Sequence, residues 1–202
     1  WRENPHKPYP ESVKKLSIRE VSKQAYDILK HPHFWVFFAA MFLAGGGEFC
    51  LTFWCPAYIQ LCFHGSAWAG GLGTAIFGIG MFTGRAGSGV LVRQHHLYNL
   101  ILWTAVSGMI FTSILPLLNP DFFGSPLLFT LVLYGLLFLC GISAAPYWPS
   151  VQSYAADCMP EVDTTMLFVL LSCAGIPGCG FFTWFIGICG DRFGLRYSFY
   201  LI

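Results

Sequence analysis

The sequence predicts an all-α integral membrane bundle of six helices, the sixth truncated, built from two inverted three-helix repeats. Three observations carry that expectation. Only 10% of the 202 residues are charged and 55% are hydrophobic, whereas a soluble domain carries about 25% charged residues. Seven of the eleven Lys and Arg residues fall within the first 30 positions, and only Arg85, Arg93, Arg192 and Arg196 follow residue 33. The rest reads as apolar runs separated by short polar joints, each run long enough for the roughly 20 residues of helix that a crossing needs. The lipid bilayer is therefore the partner that composition demands. A net charge of +1 gives no ground for a nucleic-acid partner.

Residues 1–33 read as a cytoplasmic linker. Its start, WRENPHKPYPESVKK, is polar and Pro-rich and has no signal-peptide pattern, so it reads as a linker from a longer chain or a processed start. In SIREVSKQAYDILKH (17–31), Ile18, Val21, Ala25, Ile28 and Leu29 share one face, and Ser17 with Glu20 makes a capping-box pattern. A short amphipathic helix is expected there, on the membrane surface or in solvent. Residues 34–202 supply spans near 34–61, 67–92, 97–118, 126–150 and 165–189, and a sixth from 197, cut off at Ile202. The basic arm places the N-terminus in the cytoplasm. The 62–66, 85–96 and 118–126 joints then follow the positive-inside rule. The acidic 151–164 joint and the 190–196 joint, with Arg192 and Arg196, run against it.

An internal echo supports the repeat. GIGMFT at 78–83 and GCGFFT at 178–183 lie 100 positions apart, in the second and fifth spans, so Gly80 is expected to pair with Gly180. Three helices per unit is odd, so the two units face opposite ways, a pattern of secondary transporters. The stretch AGGLGTAIFGIGMFTGRAGSG holds eight glycines in 21 residues, including the Gly80–Gly84 GxxxG pair. Such small residues let helix backbones approach closely in lipid.

Glu48 sits midway along the first span. A charge at that depth costs about 2.5–3.5 kcal/mol on insertion scales, so the acid should be protonated or paired with a cation from another helix. An acid that gains and loses a proton suits coupling to a proton gradient; a structural hydrogen bond to a neighbouring helix is the alternative. On its helical face lie Thr52, Cys55 and Ile59, expected to line a cavity.

Four stretches resemble the C-terminal six-helix half of a major facilitator superfamily transporter. HPHFWVFFAAMFLAGGGEFCLTFWCPAYIQ is similar to the seventh helix of the fucose and glucose proton symporter branch. GMFTGRAGSGVLVRQ resembles the end of the eighth helix and its following loop, with Ser88 and Gly89 where that family often carries an acid. APYWPSVQSYA resembles the Pro-containing end of the tenth, and GCGFFTWFIGICGDRFGLRYSFYLI the eleventh and the start of the twelfth. The resemblance covers nearly all of 31–202. It implies a missing N-terminal six-helix half, on the same chain or a separate subunit, as the partner across a central cavity. It also implies that the seventh and tenth helices face that cavity.

On that basis Thr52, Trp54, Tyr58, Tyr147, Trp148 and Gln152 are candidate solute contacts, since aromatics with a polar edge stack on rings and donate one hydrogen bond. Trp54 and Tyr58 also suit a membrane-interface belt. Pro56, Pro146 and Pro149 are candidate hinges that interrupt helices and free carbonyls. Arg85 is a candidate gate contact or a lipid-phosphate anchor. Asp191 and Arg192 read as loop-structural. The eight cysteines form no CxxC pair and act mostly as small hydrophobes. His95 and His96 have no third ligand, so neither metal nor cofactor is expected. No HExxH or serine-nucleophile motif supports an enzyme. The expected function is proton-coupled transport of a small polar solute, a sugar or organic anion, across a bacterial-type inner membrane. The alternative is a non-transporting, half-transporter-like subunit of a larger membrane complex.

Overall fold

The computed structural model describes residues 17–91 and 96–202. The polar arm up to residue 16 and the 92–95 joint, with Arg93 and His95, lie outside the described residues. Among the described residues the structure is helical without strands: α1 (Ile18–Leu29), α2 (Pro32–Phe63), α3 (Ala67–Leu91), α4 (Leu97–Ile114), α5 (Pro126–Ala144), α6 (Tyr147–Cys158), α7 (Thr164–Phe193) and α8 (Leu195–Ser198).

Local sequence sets the boundaries. The Ser17 hydroxyl accepts the Glu20 N–H, and the Glu20 carboxylate accepts the Ser17 N–H at 2.7 Å, completing the capping box of α1. That backbone hydrogen bond holds the Glu20 carboxyl below its ordinary range. Ile28 is buried while Ile18, Val21 and Leu29 stay exposed, and the Trp35 indole N–H donates to the Leu29 carbonyl, joining α1 to α2. His64, in the left-handed region at φ 54°, ends α2. Asp163 caps α7 by accepting the Met166 N–H at 2.8 Å.

Pro32–Phe63, Leu97–Leu117, Pro126–Cys158 and Thr164–Phe193 are long and apolar enough to cross a membrane. At 25 residues α3 is long enough too, but its eight glycines dilute its apolarity below that of the other four. Arg85, counted on sequence with the joint after the second span, lies inside α3. Of the three candidate hinges, only Pro146 stands at a break, the turn between α5 and α6. Helix α2 runs unbroken through Pro56, α7 does the same through Pro177, and Pro149 sits in the first turn of α6, a position that tolerates proline.

The most extensive packing joins α2 with α7 and α3 with α5. The two pairs meet in the same way. A Cβ on Gly80 would overlap the Phe138 carbonyl, and one on Gly178 would overlap the Phe42 carbonyl. A Cβ on Gly141 would strike the Phe77 carbonyl, and one on Gly45 would lie 2.9 Å from the Gly175 carbonyl. Phe42 and Gly45 therefore match Phe138 and Gly141, 96 positions on. Phe77 and Gly80 match Gly175 and Gly178, 98 positions on. The repeat is real, but Gly80 pairs with Gly178. A Cβ on Gly180 meets nothing within 4 Å, so the 100-residue echo was two positions out of register.

Buried side chains form two separate cores. One gathers Ile28, Phe34, Met41, Met159, Leu167 and Leu171 at the α1 end. The other gathers Cys55, Tyr58, Ile59, Leu115, Phe129, Leu137 and Phe199 at the opposite end. Between them the buried residues of α2 are Gly45, Gly46 and Cys50. At the second end the Tyr58 hydroxyl donates to the Leu115 carbonyl at 2.6 Å and its ring stacks on Phe199 at 4.1 Å. Arg196 donates to the Pro116 carbonyl at 2.8 Å and to the Leu118 carbonyl. This guanidinium covers carbonyls of the turn over 115–118 that follows α4, a structural role for Arg196.

Candidate functional site

Glu48 falls at the midpoint of α2, at the level between the two cores. Gly45, three residues earlier, lets α7 approach closely on one side. On the other side Arg85 reaches across from α3. Its Nη2 donates to both carboxylate oxygens of Glu48, at 3.2 and 3.4 Å. Of the two outcomes expected for an acid at this depth, the structure adopts the ion pair.

Two features place the guanidinium. Gly84, one residue earlier, packs α3 against Ile142 and Ala145 of the α5 end. The Arg85 Nε then donates to the Ala145 carbonyl at 3.4 Å. In a regular helix that carbonyl would accept from the residue four positions on. That residue is Pro149, which has no N–H. Pro149 thus opens an acceptor, and Arg85 occupies it. Sequence reasoning named both residues without joining them, because the spacing between helices is not written in either.

Two hollows meet at the pair. One, of about 560 Å³, lies between α2, α4, α5 and α6, and its lining includes Glu48, Thr104, Ser143, Tyr147, Trp148 and Tyr200. The other, of about 720 Å³, lies between α2, α3, α6 and α7, and its lining includes Glu48, Arg85, Trp148, Ser172 and Cys179. Glu48 and Trp148 line both. The Glu48 side chain is 19% exposed and that of Arg85 51%, so the guanidinium faces open space while the carboxylate is largely enclosed. Trp148 packs its ring against Gly175 of α7, where a Cβ would displace it.

The other candidates divide. Tyr147 stands in the first hollow. Gln152 donates to the Ser172 hydroxyl at 2.8 Å and to the Phe168 carbonyl at 3.4 Å, tying α6 to α7 behind the second hollow. Thr52 returns its hydroxyl to the Glu48 carbonyl at 2.9 Å and lines a separate groove of about 810 Å³ on the outer α2–α7 face. Trp54 lines that groove too, with its indole N–H on the Thr183 carbonyl at 3.1 Å. Tyr58 is fully buried in the core beyond. The expected cavity face of α2 does not extend from Glu48 to Thr52, which lines the separate groove, and Cys55 and Ile59 are buried in that same core. Ser172 and Gly175 belong to the second hollow, and no sequence signal singled them out. Among the described residues no three His, Cys, Asp or Glu side chains gather as metal ligands.

A family model described as Major Facilitator Superfamily matches residues 1–161. No curated protein and no solved structure matches the chain.

Proposed function

The chain belongs to the major facilitator superfamily and is an integral membrane transporter in kind; from that premise we propose that it is the C-terminal six-helix half of a proton-coupled carrier of a small polar solute. The small-small-Glu centre of α2 supports kinship with the fucose and glucose proton symporter branch, the solute being a sugar or an organic anion. The chain's N-terminus faces the cytoplasm of a bacterial-type inner membrane, and an N-terminal six-helix half closes the cavity opposite α2 and α6.

The observation that supports this most is the Glu48–Arg85 pair, set at mid-helix depth where two hollows meet. Ionisable residues at that depth are costly and mark ion or solute pathways. Glu48 holds and releases the coupling proton. Arg85 stabilises the ionised state and is itself aligned by the Ala145 carbonyl. Trp148 and Tyr147 offer a ring face and a hydroxyl to the solute. Pro146 supplies the turn about which α6 shifts against α5. Thr52, Trp54, Tyr58 and Gln152 set the positions of α2 and α6.

The test is uptake by the full-length protein in proteoliposomes. Glu48→Gln keeps size and polarity but removes titration. It should reduce accumulation driven by a pH gradient to the level of empty vesicles while leaving equilibrative exchange intact. Accumulation equal to wild type would remove Glu48 from the coupling step.

A further inference from the structure

We infer that the cargo is a small organic anion with one carboxylate, which replaces Glu48 on Arg85 each time Glu48 takes up a proton. This rests on the reading of Glu48 as the coupling acid and adds the chemical class of the solute.

The argument starts from charge. A guanidinium does not deprotonate in proteins. Once Glu48 accepts a proton, Arg85 is a cation at mid-bundle depth without its counter-charge, a cost that the exposure of half its side chain offsets only in part. Among the described residues that line the two hollows, nothing replaces the lost carboxylate. The other ionisable side chains lining the two hollows are Cys50 of α2, Cys140 of α5, Tyr147 of α6, Cys179 of α7 and Tyr200 beyond α8. None is an acid of the carboxylate class, and none is a second cation. A neutral sugar would leave the charge uncompensated; a carboxylate would restore it.

Geometry agrees. Both bonds to Glu48 come from Nη2, and Nε is held by Ala145. Nη1 makes no hydrogen bond to the described residues, the side chain is half exposed, and Arg85 lines the 720 Å³ hollow. A planar guanidinium with a free edge suits a carboxylate, and Trp148 walls that space on its apolar side. The exchange balances. One proton joins Glu48, one anion joins Arg85, and the loaded site carries the same net charge as the empty one. Proton and anion therefore bind cooperatively and travel as a neutral pair.

Pyruvate and its uncharged amide, pyruvamide, separate charge from shape. Binding to the purified full-length protein is followed by calorimetry at about pH 7.5 and 5.5, a range in which pyruvate stays ionised. Wild type should bind pyruvate about 5–150-fold more tightly at the lower pH, the usual span of coupling between two sites. Glu48→Gln should bind it at the tighter level at both pH values, and pyruvamide should gain nothing in either protein. Arg85→Gln should erase the preference for pyruvate over pyruvamide; should it fail to fold, Arg85→Lys should fold and keep that preference. Equal binding of the two probes, or no gain in Glu48→Gln, overturns the inference. Loss of pH-driven uptake of a neutral solute in Glu48→Gln would sink the anion while sparing proton coupling. The expected binding pattern with no pH-driven uptake would do the reverse.

Discussion

The α2–α7 and α3–α5 pairs are two copies of one packing solution that carry different chemistry. In both, a glycine on one helix lets the partner's phenylalanine carbonyl come close, Gly178 on Phe42 and Gly80 on Phe138. By the same 96- and 98-residue offsets, the position of Glu48 in α2 is held by Ala144 in α5, and that of Arg85 in α3 by Thr183 in α7. The ion pair thus exists once, between the α2 of one pair and the α3 of the other. Backbone contacts, which need only glycine, are shared by the repeats. The charged side chains are not, and the site lies where the symmetry is broken.

Arg196→Gln attacks the join between the repeats and has the largest expected effect on stability. It removes charge-assisted hydrogen bonds to Pro116 and Leu118, each worth about 1.5–3 kcal/mol, and should lower the unfolding midpoint in detergent by more than any substitution below. Next comes a direct test of register. Gly80→Ala and Gly178→Ala should each cost about 2 kcal/mol by overpacking a backbone carbonyl, whereas Gly180→Ala, open to its surroundings, should be neutral or gain up to about 1 kcal/mol. A Gly180→Ala protein as damaged as Gly80→Ala would break the 98-residue correspondence.

The smallest effect belongs to α1, which lies outside both repeats. The Glu20 carboxyl ionises more readily in the capped helix than in the open chain. Its contribution is therefore complete above the open-chain value of about 4.3 and fades as pH falls through the lower folded value. The protection factors of the Ser17 and Glu20 amides, referred to the intrinsic exchange rate at each pH, should fall several-fold on acidification through that window, with the bundle's own midpoint unchanged. Ser17→Ala should produce the same local loosening at neutral pH.

Sequence showed the helices well because apolar run length and capping residues act locally. Ser17 with Glu20 and the turn at Pro146 were both readable that way. It showed that a repeat exists but misplaced it, since GIGMFT and GCGFFT look alike while only interhelical contact decides which glycine faces a neighbour. Glu48 stood out as an acid among apolar residues. Its partner did not, because Arg85 becomes one only through the approach of α3 at Gly84 and the carbonyl that Pro149 leaves open. Tyr58 and Trp54 have the composition of a cavity or an interface belt; which backbone carbonyl each hydroxyl or indole reaches is a property of the packed bundle.

The separation of the two cores has a mechanical side. The α1-end core and the Leu115-end core are two separately packed masses, and along α2 they are joined through a neck of two glycines and a cysteine. Sixteen residues separate Pro32 from Glu48, about 24 Å of helix at 1.5 Å per residue. A tilt of only about 5° pivoting at the neck would sweep the far end of α2 by roughly 2 Å on that lever arm, while the pivot itself hardly moves. The Glu48–Arg85 pair sits at the fulcrum, where its hydrogen bonds would survive a rotation that opens or shuts the ends.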